Sequence, residues 1–131
     1  MSIQYKMVLK GDNLNPEGHK KTAYHPQVVR ANTLTLKDIC KRASHGKALS
    51  AIEMEMSVRM VLEQIETELR DSNHVCLDGF GTFSLTAESR PVDNPDDIRA
   101  ESIFVKRVAF VPSKILMDDL KNAQFVRAKV K

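Results

Sequence analysis

The chain has 131 residues, of which 42% are hydrophobic and 28% are charged. This composition is typical of a folded protein and excludes a disordered chain, and the length suffices for one modest core with an appendage. The net charge of +3 hides an uneven distribution: residues 1–47 carry nine Lys and Arg against three Asp and Glu, residues 48–97 three against eleven, and residues 98–131 eight against three. Two basic ends flank an acidic middle, a pattern that fits either a polyanion-binding face or ordinary solvated charge.

The sequence gives no sign of export or membrane insertion. Met1 to Gly11 contains two lysines and has no apolar run of signal-peptide length, and no later segment approaches a membrane span. We therefore expect a cytoplasmic protein with no membrane partner. In a reducing compartment Cys40 and Cys76 stay as thiols, and we expect both to be small buried apolar residues.

The first 32 residues are predicted to form a β-hairpin extension. Ile3 to Lys10 has the pattern of a short strand, a turn-rich segment follows, and Thr22 to Arg30 predicts a second strand. Pro26 lies inside that second strand and favours a sheet edge, because proline cannot donate a ladder hydrogen bond.

Two helices are predicted next. Thr35 with Asp38 three residues later has the pattern of a capping box and predicts a short helix to about Ser44. Ser50 is predicted to cap a longer helix to about Ser72.

The longer helix has more apolar surface than one core requires. Its periodic apolar residues predict one buried face and are Met54, Val58, Val61, Leu62, Ile65 and Leu69. Met56 and Met60 widen that surface, which favours contact with a partner chain.

The rest of the chain predicts two strands, an arm between them and a last helix. Val75 to Leu85 is predicted to be one strand with a bulge at its two glycines that turns two phenylalanines inward. Thr86 to Asp97 is polar, and Ile98 to Val111 returns to strand residues, so the two describe a long hairpin. Ser113 is predicted to cap a helix that extends to about Ala123.

No motif predicts catalysis or ligand binding. Gly79-Phe80-Gly81 lacks the third glycine and the following helix of a dinucleotide loop. The four histidines are scattered without metal-ligand spacing, and neither cysteine is paired with a base. We expect no enzyme, cofactor, metal or small-molecule substrate.

One segment resembles a known family. Val75 to Phe83, with its run Gly-Phe-Gly-Thr-Phe, resembles the strand signature of the HU/IHF family of bacterial histone-like DNA-binding proteins. Asn94-Pro95 stands at about the spacing of that family's arm-tip proline, and Val108 to Lys114 resembles its return strand and the start of its last helix. The resemblance covers about Thr33 to Ala123. Residues 1–32 resemble the extension of a longer HU-like subgroup of Bacteroidetes type.

The resemblance implies an α+β fold and an architectural function. Residues 33–131 would form an HU-like domain with two N-terminal helices, a β-saddle with a protruding β-arm, and a C-terminal helix. Two chains would intertwine as a homodimer, and a heterodimer with another HU-like chain stays open. The partner would be double-stranded DNA of the nucleoid, bound with little sequence preference.

The resemblance also implies a set of DNA-binding residues. By position these are Arg90, Pro95, Arg99, Lys106, Arg107 and Lys114. Pro95 would wedge between base pairs, and Lys114 would add its charge at a helix start that already favours a phosphate.

The arm tip departs from the family pattern, and two questions stay open. Asp93, Asp96 and Asp97 surround Pro95, where the family has Arg and Lys, and Asn94 to Asp97 also fits a plain type I turn. DNA could then be held mainly by the saddle, or the fold could serve as a protein-interaction module. The extension could add positive surface or only extend the sheet, and we favour the structural role.

Overall fold

The structure is a computed structural model and describes residues 2–12 and 21–129. These residues form a mixed α+β fold, as predicted. In chain order the elements are β1 (Ser2–Asp12), β2 (Lys21–Val28), α1 (Leu36–Ala43), α2 (Ala51–Arg70), β3 (Val75–Leu77), β4 (Gly81–Glu88), β5 (Phe104–Pro112), α3 (Lys114–Lys121) and β6 (Gln124–Arg127).

The chain divides into two compact units. The terminal unit draws its residues from Met1–Thr33 and Leu120–Lys131, and the central unit is Leu34–Asp119. The turn-rich segment predicted after β1 lies mostly outside the described residues.

The terminal unit is a three-stranded sheet in the order β2-β1-β6. β1 and β2 are antiparallel, and Met7 lies opposite Pro26 on the edge strand β2. β6 runs parallel to β1, with Ser2 opposite Gln124 and Tyr5 opposite Arg127. The sequence did not predict β6, because four residues are too few to show strand alternation. The end of the predicted 33–131 domain thus lies in the terminal unit.

The first two helices of the central unit begin at the predicted caps. Thr35 Oγ1 accepts a hydrogen bond from the Asp38 N–H at 3.3 Å, and Asp38 Oδ2 accepts one from the Thr35 N–H at 3.1 Å. Ser50 and Glu53 make the same reciprocal pair at the start of α2, at 3.2 and 3.3 Å. Both capping interactions satisfy amide groups that the first turn of a helix leaves unpaired.

The predicted bulge at the glycines is wrong, because the chain reverses there. The Phe80 N–H donates to the Leu77 carbonyl at 2.9 Å, and Gly79 between them has a φ of 76°, which favours glycine. β3 and β4 are therefore antiparallel strands, with Val75 opposite Phe83. Cross-strand partners share a face, so the apolar alternation continues through the turn and resembles that of one strand.

Aromatic packing joins this turn to β5. The Phe110 ring centroid lies 5.5 Å from that of Phe80 and 4.9 Å from that of Phe83. Gly81 lies beneath Phe110, where an added Cβ would come within 2.6 Å of Phe110 Cζ and 2.7 Å of the Val111 carbonyl oxygen. This close approach requires glycine.

The second strand of the arm is shorter than predicted. It begins at Phe104 and not at Ile98, because the preceding residues form 3₁₀ turns at Pro95–Asp97 and Ala100–Ser102. Their backbone groups bond locally, as in the 2.9 Å bond from the Ser102 N–H to the Arg99 carbonyl.

Few side chains are buried. Among the described residues the buried hydrophobic side chains are Cys40 and Leu69, with 2% and 8% of their surfaces exposed, and Gly81 is also buried. Both cysteines were predicted to be buried. Cys40 is buried, as predicted. The prediction for Cys76 is wrong, because Cys76 alternates with the partly buried Val75 and Leu77 on a three-residue strand and is exposed. No helix within residues 2–12 and 21–129 is both long and apolar enough to cross a membrane.

Candidate nucleic-acid interface

The six residues predicted to bind DNA lie in the central unit between the end of β4 and the start of α3. All six are exposed. Three are in the connection between β4 and β5, two are on β5 and one begins α3; in that order they are Arg90, Pro95, Arg99, Lys106, Arg107 and Lys114.

The connection between β4 and β5 mixes cations with carboxylates. Arg90 and Arg99 line the same open groove, together with Asp93 and Asp97. Residues 89–103 as a whole carry two Arg against four Asp and Glu, so this segment has a net charge of −2. A negative segment repels backbone phosphates, and the two arginines act against that background.

Pro95 is held in a turn. The Asp97 N–H donates to the Asn94 carbonyl at 3.0 Å, and the Asp96 N–H donates to Asn94 Oδ1 at 3.1 Å. Proline suits this position because its ring fixes φ where a turn needs it. The turn alone accounts for these four residues, and intercalation by Pro95 stays a prediction.

The basic residues of β5 lie at an irregularity in the sheet. Thr86 is paired with Arg107, whereas the next residue, Ala87, is paired with Val105, so Lys106 is the extra residue. Thr86 Oγ1 also donates to the Arg107 carbonyl at 3.3 Å. Neighbours in a regular strand point to opposite faces, and such a bulge re-aims a side chain. Lys106 is thereby freed from strict alternation with Arg107.

Lys114 is the first residue of α3, beside open backbone donors. The preceding residue, Ser113, accepts a hydrogen bond from the Leu116 N–H at 3.1 Å through its Oγ. The Ser113 N–H donates to the Phe80 carbonyl at 2.9 Å, which fixes the start of α3 against the turn after β3. A helix start with a lysine favours an anion through both its amide dipoles and the ammonium charge.

No ion pair between described residues involves these cations. The ion pairs found among the described residues are Arg59–Glu55 at 2.9 Å and Arg70–Glu66 at 2.8 Å, and both lie on α2. The five basic residues of the predicted site therefore keep their charges available to an external anion. Residues 2–12 and 21–129 contain no cluster of three or more potential metal ligands.

Sequence reasoning predicted only that the chain ends are basic and assigned no individual role to the basic residues after Lys114. Pairing of β6 with β1 places Arg127 opposite Tyr5, and the Ala128 N–H donates to the Tyr5 carbonyl at 2.9 Å. The two ends of the chain thus share one sheet. The sequence feature that could have indicated a shared basic surface is the excess of Lys and Arg at both ends of the chain.

Comparisons with known proteins agree on one family. The family model described as "HU domain fused to wHTH, Ig, or Glycine-rich motif" matches residues 1–127. Integration host factor subunit beta from Pseudomonas paraeruginosa strain PA7 is 29% identical over 96 residues, which cover 70% of this chain and all of that relative. The same subunit from Pseudomonas aeruginosa strain PAO1 matches equally well.

A solved structure has a similar fold. A candidate bacterial DNA-binding protein from Bacteroides vulgatus ATCC 8482 aligns over 96% of this chain with a TM-score of 0.68 and 15% sequence identity. The alignment covers 48% of that protein, so the present chain spans about half of its length. The Anabaena HU–DNA cocrystal structure aligns over 68% of this chain and 99% of its own, with a TM-score of 0.46 and 16% identity.

Proposed function

The chain belongs to the HU/IHF family, since the HU-domain family model matches nearly its whole length, and from this we propose that it is an architectural protein that binds double-stranded DNA of the bacterial nucleoid. The role is one of shaping DNA and not of catalysis. In this proposal, the HU-like part of the chain binds DNA, and the N-terminal hairpin of residues 1–32 is an added element that pairs with the last strand, β6.

We propose that the protein works as an intertwined homodimer. The observation that supports this is the exposed apolar surface of α2, where Met56 and Met60 are 62% and 69% exposed and Ile52 is also exposed. Three apolar residues at spacings of four lie on one side of a helix. Contiguous apolar surface of this kind marks a protein contact, and a second copy of the chain offers a matching surface.

In the proposed complex, phosphates are bound mainly by β5 and the start of α3. Lys106, Arg107 and Lys114 are exposed and make no ion pair with described residues, and this single observation carries the DNA-binding proposal. Phosphate contacts position a protein on the duplex without reading its sequence, so we expect low sequence specificity. Arg90 and Arg99 would add minor contacts, because the arm around them is acidic.

A second function is favoured by that acidic arm. An HU-fold module with carboxylates at its arm tips could contact a basic protein surface in place of DNA. The carboxylates of Asp93, Asp96 and Asp97 are the observation that supports it.

Equilibrium binding of the full chain to a short DNA duplex across a salt series tests the proposal. We expect affinity to fall steeply with salt, with a slope of about −0.9 for each neutralised phosphate. Lys106→Gln/Arg107→Gln/Lys114→Gln should make that slope shallower by about 3 per protomer, since three phosphate contacts are lost.

The matched control removes three exposed cations elsewhere in the central unit, by Lys37→Gln/Lys41→Gln/Lys47→Gln. Both variants have the same net charge, so a general effect of charge would weaken binding equally. An equal loss in the two variants would overturn the proposed site. Absence of binding by the folded wild-type protein at low salt would instead support the protein-interaction function.

A further inference from the structure

The two units of the chain carry opposite net charges. Over 1–33 and 120–131, the residue ranges of the terminal unit, the sequence has nine Lys and Arg against two Asp and Glu, a net charge of +7. The central unit has eleven against fifteen, a net charge of −4. The excess positive charge of this protein therefore belongs to the terminal unit and not to the central unit.

Alternation along the sheet separates this unit into two unlike faces. On β1, Ile3, Tyr5, Met7 and Leu9 share one face, and Gln4, Lys6, Val8 and Lys10 share the other. Directly paired residues lie on the same face of a sheet. The apolar face is extended by the partners of the first set on β2 and β6, which include Tyr24, Val28 and Phe125.

The second face is basic. Lys6 lies opposite Gln27, Val8 opposite His25, and Lys10 opposite Ala23. From Ser2 to Lys10 this face has no acidic residue on β1 or at the paired positions of β2 and β6. The described side chains of Lys6, Lys10 and His25 are exposed.

Arg30, which lies two residues after the end of β2, provides a further cation close to Lys6. Arg30 and Lys6 line one open groove, together with Gln27, Val28 and Val29. The Val29 N–H donates to the Gln4 carbonyl at 2.8 Å, which continues the β1–β2 pairing up to the residue before Arg30. The pairing therefore holds Lys6 and the residue just before Arg30 in the sheet.

We propose that the basic face of the terminal sheet, defined by Lys6 and Lys10, together with Arg30 in the groove that Lys6 also lines, is a second DNA-binding surface that contacts the phosphate backbone of the duplex. This inference rests on the proposed DNA-binding function and extends it to a unit outside the predicted site. It gives the appended strands a binding role in place of the purely structural one favoured by the sequence.

The spacing of the cations fits a continuous polyanion better than one small anion. Lys6 and Lys10 are four residues apart on one strand, which separates them by about 13 Å at about 3.3 Å per residue. One phosphate cannot bridge that distance. A duplex presents one charge per about 1.7 Å of its axis and so offers phosphates along the whole row.

The experiment is the salt series on the full chain, with Lys6→Gln/Lys10→Gln/Arg30→Gln compared with Lys37→Gln/Lys41→Gln/Lys47→Gln. Both variants lose three exposed cations, but only the first loses them from the terminal sheet. We expect the first variant to weaken binding and to make the salt slope shallower by about 2 to 3 per protomer, whereas the second changes it less. A charge-retaining variant, Lys6→Arg/Lys10→Arg/Arg30→Lys, should bind as the wild type does and shows whether the strands tolerate substitution.

The outcomes separate this inference from the proposed function. If the wild type binds, the Lys106/Arg107/Lys114 variant fails and the terminal-sheet variant retains the wild-type salt slope, the second surface is refuted while DNA binding stands. If the wild type itself does not bind the duplex, both proposals fall. A loss in the terminal-sheet variant that the charge-retaining variant shares would also refute a role for the charges.

Discussion

The proposed dimer makes α2 the most informative place for a perturbation. Met56 and Met60 lie four residues apart on the same side of the helix and are 62% and 69% exposed in the single chain. Replacing both with Glu should change the stability of one protomer little. In a dimer that buries this surface, the same replacement places carboxylates against apolar side chains.

The size of the effect follows from the exposed fractions. Complete burial of a methionine side chain contributes about 1.5–3 kcal/mol, so covering roughly two thirds of it contributes about 1–2 kcal/mol. Four such side chains in a dimer give about 4–8 kcal/mol, which corresponds to a rise in the dimer Kd of about 10³- to 10⁶-fold. Desolvation of the new carboxylates would increase it further.

Sedimentation equilibrium over a concentration series measures this directly, with circular dichroism to establish that helix content is retained. The control is Ser57→Glu, which adds a carboxylate at an exposed polar position of the same helix outside the row of Ile52, Met56 and Met60. We expect the control to dimerise as the wild type does. A dimer Kd unchanged by Met56→Glu/Met60→Glu, or a wild type that is monomeric at all concentrations, would refute the assignment of this face.

Two further predictions concern the folding of the central unit. Gly81→Ala should lower the free energy of unfolding, measured in urea, by about 1–3 kcal/mol, because the new Cβ would clash with the Phe110 ring. The control Gly11→Ala has open space around the new Cβ and should change stability little. Equal effects of the two variants would show that the clash with Phe110 is not the cause. The backbone N–H of Thr35, followed by its hydroxyl, lowers the pKa of Asp38 below its ordinary value of 3.8. Because the pKa of Asp38 is lower in the folded protein than in the unfolded chain, its carboxylate stabilises the fold at pH values above the unfolded pKa. The free energy of unfolding of the wild type should therefore exceed that of Asp38→Asn near neutral pH, and this difference should shrink as the pH falls below 3.8. Unfolding measured across an acid pH series tests this, and a constant difference would refute the capping role of the carboxylate.

Local signals allowed the helices and their starts to be predicted. The predicted pair of Thr35 with Asp38 and the predicted cap at Ser50 depend on neighbouring residues, and their hydrogen bonds are present; the reciprocal bond from the Ser50 N–H to Glu53 was not predicted. The region after α2 was wrongly predicted to be one strand, because the apolar residues before and after the tight turn at Gly79 keep the same alternating pattern. A sequence pattern with a period of two cannot distinguish that turn from a bulge.

Long-range pairing was beyond the reach of the sequence. The residues of β6 follow α3 by a few positions and carry no turn signal or alternation that assigns them a partner. Their partner is β1, at the other end of the chain. Likewise, the candidate DNA-binding residues came from family resemblance, and only the sheet register showed that Lys106 is an extra residue in β5.

The distribution of charge between the units explains how an acidic HU-like unit can still bind DNA. With a net charge of −4, the central unit repels a duplex at long range, and its few exposed cations on β5 and α3 act only at contact. The terminal unit, at +7, supplies the long-range attraction. Removing charges from the terminal sheet should therefore lower the association rate more than it raises the dissociation rate, whereas removing Lys106, Arg107 and Lys114 should mainly raise the dissociation rate. Stopped-flow binding to the duplex measures both rates, and equal effects on association by the two variants would show that the attraction does not come from the terminal sheet.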